Sequence, residues 1–121
     1  GIVSVEPSVV STFNDAAMLT CVSNDLGYPN VFAIPLQTFG RPADVLVAIS
    51  SSGKSKNILN AASAARTREM RVITLSGFAE DNPLRRLGDV NFFVPSRRYG
   101  YVEIAHLAIC HHLLDNIMGL K

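Results

Sequence analysis

Polar and apolar positions alternate along the chain in two different periods, and the switches between them mark the elements. From Asp44 to Ile49 (DVLVAI) the chain is nearly continuously apolar, the pattern of a strand buried on both faces of a parallel sheet. Ser55 to Met70 then recurs at helical spacing, rich in alanine, with Ile58, Leu59, Ala62 and Ala65 on one side. Arg71–Leu75 (RVITL) and Asp89–Val94 (DVNFFV) read as two further strands. Between them Asn82-Pro83 has the cap-then-proline form of a helix start, followed by a short LRRL turn. Val102 to Met118 is a last helix, apolar on most faces and therefore expected to be buried.

The front half is weaker in pattern. Val9–Phe13 is a strand candidate. Asn14 and Asp15 are placed to cap an apolar-periodic run, AAMLTCVSNDL, that Gly27 can terminate. Tyr28 to Phe39 suggests a second, shorter helix limited by Pro35, and Gly40-Arg41-Pro42 a turn. Strand, helix, strand, helix, strand, helix is the order of an α/β fold, a three-layer αβα sandwich on a parallel sheet with right-handed crossovers. The 121 residues suit a single domain over 1–121.

Composition narrows the picture. Apolar residues make up 48% and charged residues 17%, which excludes a disordered chain. A net charge of +1 gives no basis for a nucleic-acid partner. No apolar run approaches the roughly 20 residues that cross a bilayer, so no membrane partner is expected. Cys21 and Cys110 form no CxxC pair and are expected as two buried thiols of a reducing cytoplasm.

The chemistry concentrates where the first strong strand meets its helix. Ser50, Ser51, Ser52 and Ser55 surround Gly53, and the Gly53-Lys54-Ser55 tripeptide resembles the end of a P-loop. A P-loop needs a glycine five residues before that tripeptide, and Ala48 occupies the position, so nucleoside triphosphate binding is disfavoured. A loop leaving the carboxyl end of a strand into a helix nevertheless aims backbone N–H groups and the helix dipole at an anion. Four hydroxyls can donate to phosphate oxygens, Gly53 permits close approach, and Lys54 can assist. The alternative is that Ser52 or Ser55 is simply the cap of the helix.

"VLVAISSSGKSKNILNAASAAR", "MRVITLSG" and "LGDVNFFVP" together resemble the sugar isomerase (SIS) domain, and "SNDLGY", Ser23–Tyr28, points to its phosphoheptose isomerase branch. The resemblance covers roughly Val10 to Met118 and implies a flavodoxin-like SIS fold. It implies an enzyme that converts sedoheptulose 7-phosphate to D-glycero-D-manno-heptose 7-phosphate through an enediol, with the phosphate on Ser50, Ser51, Ser52 and Ser55. Asp15 matches an acidic residue near the substrate and is equally placed as a helix N-cap. In the last helix Glu103 and His111 match a glutamine and a histidine that take part in catalysis and can bind zinc. At 3.6 residues per turn they lie about 80° apart in projection. That match needs one residue fewer before the helix; without the gap His112 and Ile104 take those places. His106, which forms an ExxH pair with Glu103, and either neighbouring histidine can equally be packing residues.

Two positions depart from the branch: Glu103 stands where it has glutamine, and Gly100 where it has an aspartate before the helix. Arg97 and Arg98 are either contacts to an anionic substrate or solvated side chains. The family also has amino-terminal helices, a strand and a glycine/serine-rich loop followed by a glutamate-bearing helix, none of which is visible before Val9. The expectation is that these residues are the carboxy-terminal part of a longer domain, or that a partner covers the exposed sheet edge. The resemblance further implies a cytoplasmic homotetramer with no required cofactor beyond a possible zinc. The altered Glu103 and Gly100 keep a second reading open, a non-catalytic SIS domain that senses phosphosugars or binds a protein.

Overall fold

A computed structural model describes residues 16–120. The Val9–Phe13 strand and Asp15, as cap or as substrate contact, lie outside the described residues. Three strands form one parallel sheet in the order β1 (Val45–Ile49), β2 (Arg71–Gly77), β3 (Val90–Val94). Four α-helices accompany them: α1 (Ala16–Leu26), α2 (Ala33–Phe39), α3 (Lys56–Thr67) and α4 (Tyr99–Ile117). Single 3-10 turns stand at Tyr28–Asn30 and Pro83–Arg86. The Tyr28–Phe39 segment thus splits in two. Pro35 is tolerated in α2 because it falls in the first turn, where a missing N–H leaves no intrahelical bond unmade. The second 3-10 turn begins as its sequence suggests, with the Asn82 side chain accepting a hydrogen bond from the Arg85 N–H.

Register places the chemistry-bearing ends together. Ile49 pairs with Leu75, and Gly77 pairs with Val94, so the strands finish along one edge of the sheet. The Ser50 N–H extends the ladder by one more bond, to the Leu75 carbonyl at 3.0 Å. One face of the sheet is closed by α2 and α3. There Ala62 and Ala65 are fully buried, and with Ala48, Val72, Phe32, Leu36 and Leu84 they form the core. Alanine on the inner stripe lets α3 lie close to β1 and β2, while Ile58 and Leu59 pack at its margin.

The other face differs from the sequence expectation of strands buried on both sides. Val45, Val47 and Ile49 of β1 are exposed, Val45 by 55%. Among the described residues β1 is an edge strand, so it shows the open edge anticipated above together with an uncovered apolar face. α4 covers this second face only in part. Val102 meets Gly77 so closely that a Cβ on Gly77 would stand 2.8 Å from a Val102 methyl. The expectation that α4 is buried is also corrected. Only Val102 and His106 are buried in it, while Ile104 (69% exposed), Leu107 and Ile117 face outward. Apolar composition around the whole helix predicts burial, but a helix lying on one side of a sheet has only one stripe to bury.

The cysteine expectation is corrected in part. Both thiols are free; Cys21 is exposed and Cys110 half-buried. Burial pushes the Cys110 thiol above its ordinary value, which disfavours the thiolate that reacts. Limited alkylation by iodoacetamide at pH 7.5, followed by peptide mass spectrometry, is expected to label Cys21 well before Cys110. Equal rates would contradict this placement.

Candidate functional site

The serine loop, residues 50–55, joins the end of β1 to the start of α3. Its shape comes from hydrogen bonds internal to it. Ser50 is buried, and its Oγ accepts the Gly53 N–H at 3.1 Å. The same hydroxyl donates to Ser55 Oγ at 3.1 Å. The Ser50 carbonyl also takes the Gly53 N–H, at 3.0 Å, which closes a tight turn. Gly53 sits at φ 67°, in the left-handed region that glycine adopts without strain.

These bonds sort the four serines. Ser50 has its proton and a lone pair committed, so it is a framework residue. Ser52 Oγ accepts the Lys54 N–H at 3.2 Å and keeps its own proton free. Ser55 accepts from Ser50 and likewise keeps its proton. Ser51 Oγ has no hydrogen bond within the described residues and is only partly exposed. Ser55 stands at the N-cap position of α3, but its side chain makes no capping bond, so the reading of that serine as a simple cap does not hold. No acidic residue lies in the first turn of α3, which Lys56 opens, and Lys54 stands just before the N-cap Ser55. Lys54 is exposed and forms no ion pair among the described residues. Three free hydroxyl protons at the positive end of a 12-residue helix suit a phosphate dianion. Ala48, where a P-loop has glycine, is buried within β1.

A second connection supports this loop from below. Asn82 is 1% exposed. The two protons of its Nδ2 are shared among Ser76 Oγ at 3.0 Å, the Gly77 carbonyl at 3.2 Å and the Ala79 carbonyl at 2.9 Å. The Asn82 side chain packs directly against Gly53: a Cβ added there would fall 2.0 Å from Asn82 Oδ1. Beside it the Leu84 N–H donates to the Gly53 carbonyl at 3.1 Å. The loop after β2 is thereby fastened to the serine loop. From sequence Asn82 is legible only as a cap, because its other partners lie in the irregular loop before it and its contact with Gly53 is distant along the chain.

The last helix presents its candidate residues differently. Glu103 and His111 are both exposed on α4. At 1.5 Å rise per residue, eight positions put their Cα atoms about 12 Å apart along the axis. His112 is exposed too and accepts from Asn116 Nδ2 at 3.0 Å. His106 belongs with the packing residues, 3% exposed, and its environment is separate from that of Glu103. Gly100 has open space around it. Arg97 and Arg98 are solvent-facing, and Arg98 lies over the Tyr101 ring at 5.4 Å.

Zinc sites of proteins take about four ligands. Glu103 and His111 offer two donors, and no three His, Cys, Asp or Glu side chains gather among the described residues. The donor set of these residues alone does not fit the metal.

Comparison with known proteins places these features in context. The profile of the SIS domain matches residues 3–77. The phosphoheptose isomerase of Aromatoleum aromaticum is 39% identical over 112 residues, spanning 91% of this chain and 57% of that protein. That of Histophilus somni is 40% identical over 102 residues, spanning 84% of this chain and 52% of its own length. The chain thus spans about half the length of the curated relatives it matches. Among solved structures, a phosphoheptose isomerase from Neisseria gonorrhoeae superposes with a TM-score of 0.87 at 34% identity, over 92% of this chain and 61% of its own. One from Francisella tularensis gives 0.84 at 33%, over 89% and 58%.

Proposed function

Since the chain belongs to the SIS-domain family, we propose that it binds the phosphate of a phosphosugar in its serine loop and takes part in phosphoheptose isomerisation. Its relatives are named phosphoheptose isomerases, and the proposed substrate and product are those the sequence resemblance implies, sedoheptulose 7-phosphate and D-glycero-D-manno-heptose 7-phosphate. The observation that carries the reading is the arrangement of the loop. The hydroxyl protons of Ser51, Ser52 and Ser55 remain available while Ser50 holds the turn.

Aldose–ketose isomerisation moves one proton between C1 and C2 and another between O1 and O2, which calls for a base, an acid and a hold on the enediolate. The serine loop anchors the remote phosphate and so fixes where C1 and C2 lie. His111 is the residue of α4 suited to proton transfer near neutral pH, and Glu103 the accompanying carboxylate. Both face solvent, as they must to meet a substrate delivered from outside this chain's own core or at an interface with another subunit. A homotetramer in the cytoplasm is the proposed setting. Asp15 remains a proposed substrate contact.

The test is titration calorimetry with sedoheptulose 7-phosphate alongside a product assay. Binding with turnover supports the isomerase. His111→Ala is then expected to lower turnover at least a hundredfold, in line with the usual contribution of a positioned acid or base, with affinity changed less than about threefold. An equal loss for His112→Ala, with His111→Ala silent, would move the assignment by one residue. A second reading, a phosphosugar sensor without catalysis, is favoured by Glu103 and Gly100, where the branch carries glutamine and aspartate. Binding without turnover would support it.

A further inference from the structure

The single buried imidazole of the described residues takes no part in the chemistry above. His106 lies between α4 and the end of β2, with its Nε2 3.0 Å from the Ser76 carbonyl oxygen. A carbonyl can only accept, so Nε2 carries the proton. Nδ1 is then a bare lone pair, buried and without a partner. An apolar side chain of similar size would fill the same space without burying an unmet acceptor. What the imidazole adds is its bond to Ser76.

Ser76 is the next link. Its Oγ accepts from Asn82 Nδ2 at 3.0 Å, and Asn82 is the residue packed against Gly53. The Leu84 N–H, two positions on, holds the Gly53 carbonyl. A continuous path of buried groups therefore runs from α4 through His106, Ser76 and Asn82 to the serine loop. Val102 and His106 are the only buried residues of α4, and of the two only His106 is polar.

We propose that His106 is a positioning residue that ties the seat of α4 to the geometry of the phosphate-gripping serine loop. It holds the Ser76 carbonyl, and through Asn82 the turn at Gly53, in the conformation that leaves the hydroxyls of Ser51, Ser52 and Ser55 free. The part of this that concerns phosphate rests on the function proposed above; the structural coupling does not.

The experiment compares His106→Leu, which fills the space without a donor, with His106→Gln, whose side-chain amide can still donate to the Ser76 carbonyl. Hydrogen exchange at the Gly53 and Leu84 amides reads the coupling directly, and calorimetry with sedoheptulose 7-phosphate reads its consequence. His106→Leu is expected to speed exchange at both amides at least tenfold and to raise the Kd at least fivefold. His106→Gln is expected to stay within about twofold of the parent in both. Ser76→Ala, which removes the middle link at almost no change in volume, is expected to speed Gly53 exchange in the same way and serves if the leucine variant does not fold. Unchanged exchange at Gly53 in the leucine and alanine variants, or equal effects of leucine and glutamine, would overturn the coupling. If the parent chain binds no phosphosugar, the proposed function fails, and the exchange data still decide the role of His106.

Discussion

Gly53→Ala is expected to destabilise the chain by about 4 kcal/mol or more. Two effects combine. A non-glycine residue at φ 67° costs about 1 kcal/mol or somewhat more. The larger effect is steric. The new methyl would lie 2.0 Å from Asn82 Oδ1 and 2.2 Å from its Cγ, so the Asn82 side chain must leave its place. It would give up the bonds of its two Nδ2 protons, shared among three acceptors, and the cap on Arg85, each worth about 1 kcal/mol net, and strand buried groups behind it. Against the 5–15 kcal/mol typical of a domain this is a large fraction. Gly119 supplies the control, because it sits at φ 71° with nothing within 4 Å. Gly119→Ala should show the backbone effect alone, about 1 kcal/mol. Urea unfolding of both variants measures the difference; equal, small losses would mean that Asn82 yields easily and does not brace the loop.

The second large effect concerns affinity. Ser52→Ala combined with Ser55→Ala removes two of the three hydroxyl protons that the loop leaves available. A hydrogen bond to a charged group contributes about 1.5–3 kcal/mol. The pair is therefore expected to weaken phosphosugar binding by about 3 kcal/mol or more, a hundredfold or greater rise in Kd. Stability should fall far less, since Ser52 and Ser55 each take part in one exposed or partly buried bond of the loop. Ser50→Ala makes the contrast. It should reduce affinity through loss of the turn and be visible in the melting temperature, because Ser50 Oγ holds the Gly53 N–H in a buried position. Undiminished binding by the double variant would remove the serine loop from the phosphate site.

Much of this architecture is legible along the chain. The Val45–Ile49 run, the alanine-rich helix after it and the two later strands each carry a local period that matches the element formed. The serines and Gly53 stand out because a strand-to-helix junction is where an anion meets backbone N–H groups, and that junction is local. Misjudgements arise where burial depends on neighbours distant in sequence. The apolar α4 and β1 were expected to be enclosed, yet Ile104, Leu107, Val45 and Val47 are exposed. Composition measures the tendency to leave water and does not say which surface is there to receive it.

The sequence by itself determined the alternation of strands and helices, the serine loop at the end of β1 and a carboxylate and an imidazole eight positions apart on α4, because propensity and periodicity act over a few residues. Only the tertiary structure decided which serine is framework and which three keep a free proton, that Asn82 is packed against Gly53, and that His106 reaches the Ser76 carbonyl. The His106–Ser76 contact joins groups 30 residues apart and the Asn82–Gly53 contact joins neighbouring loops, while the serine bonds are local but depend on the folded path of the loop. They exist once the sheet brings its strand ends to one edge, and no local pattern encodes them.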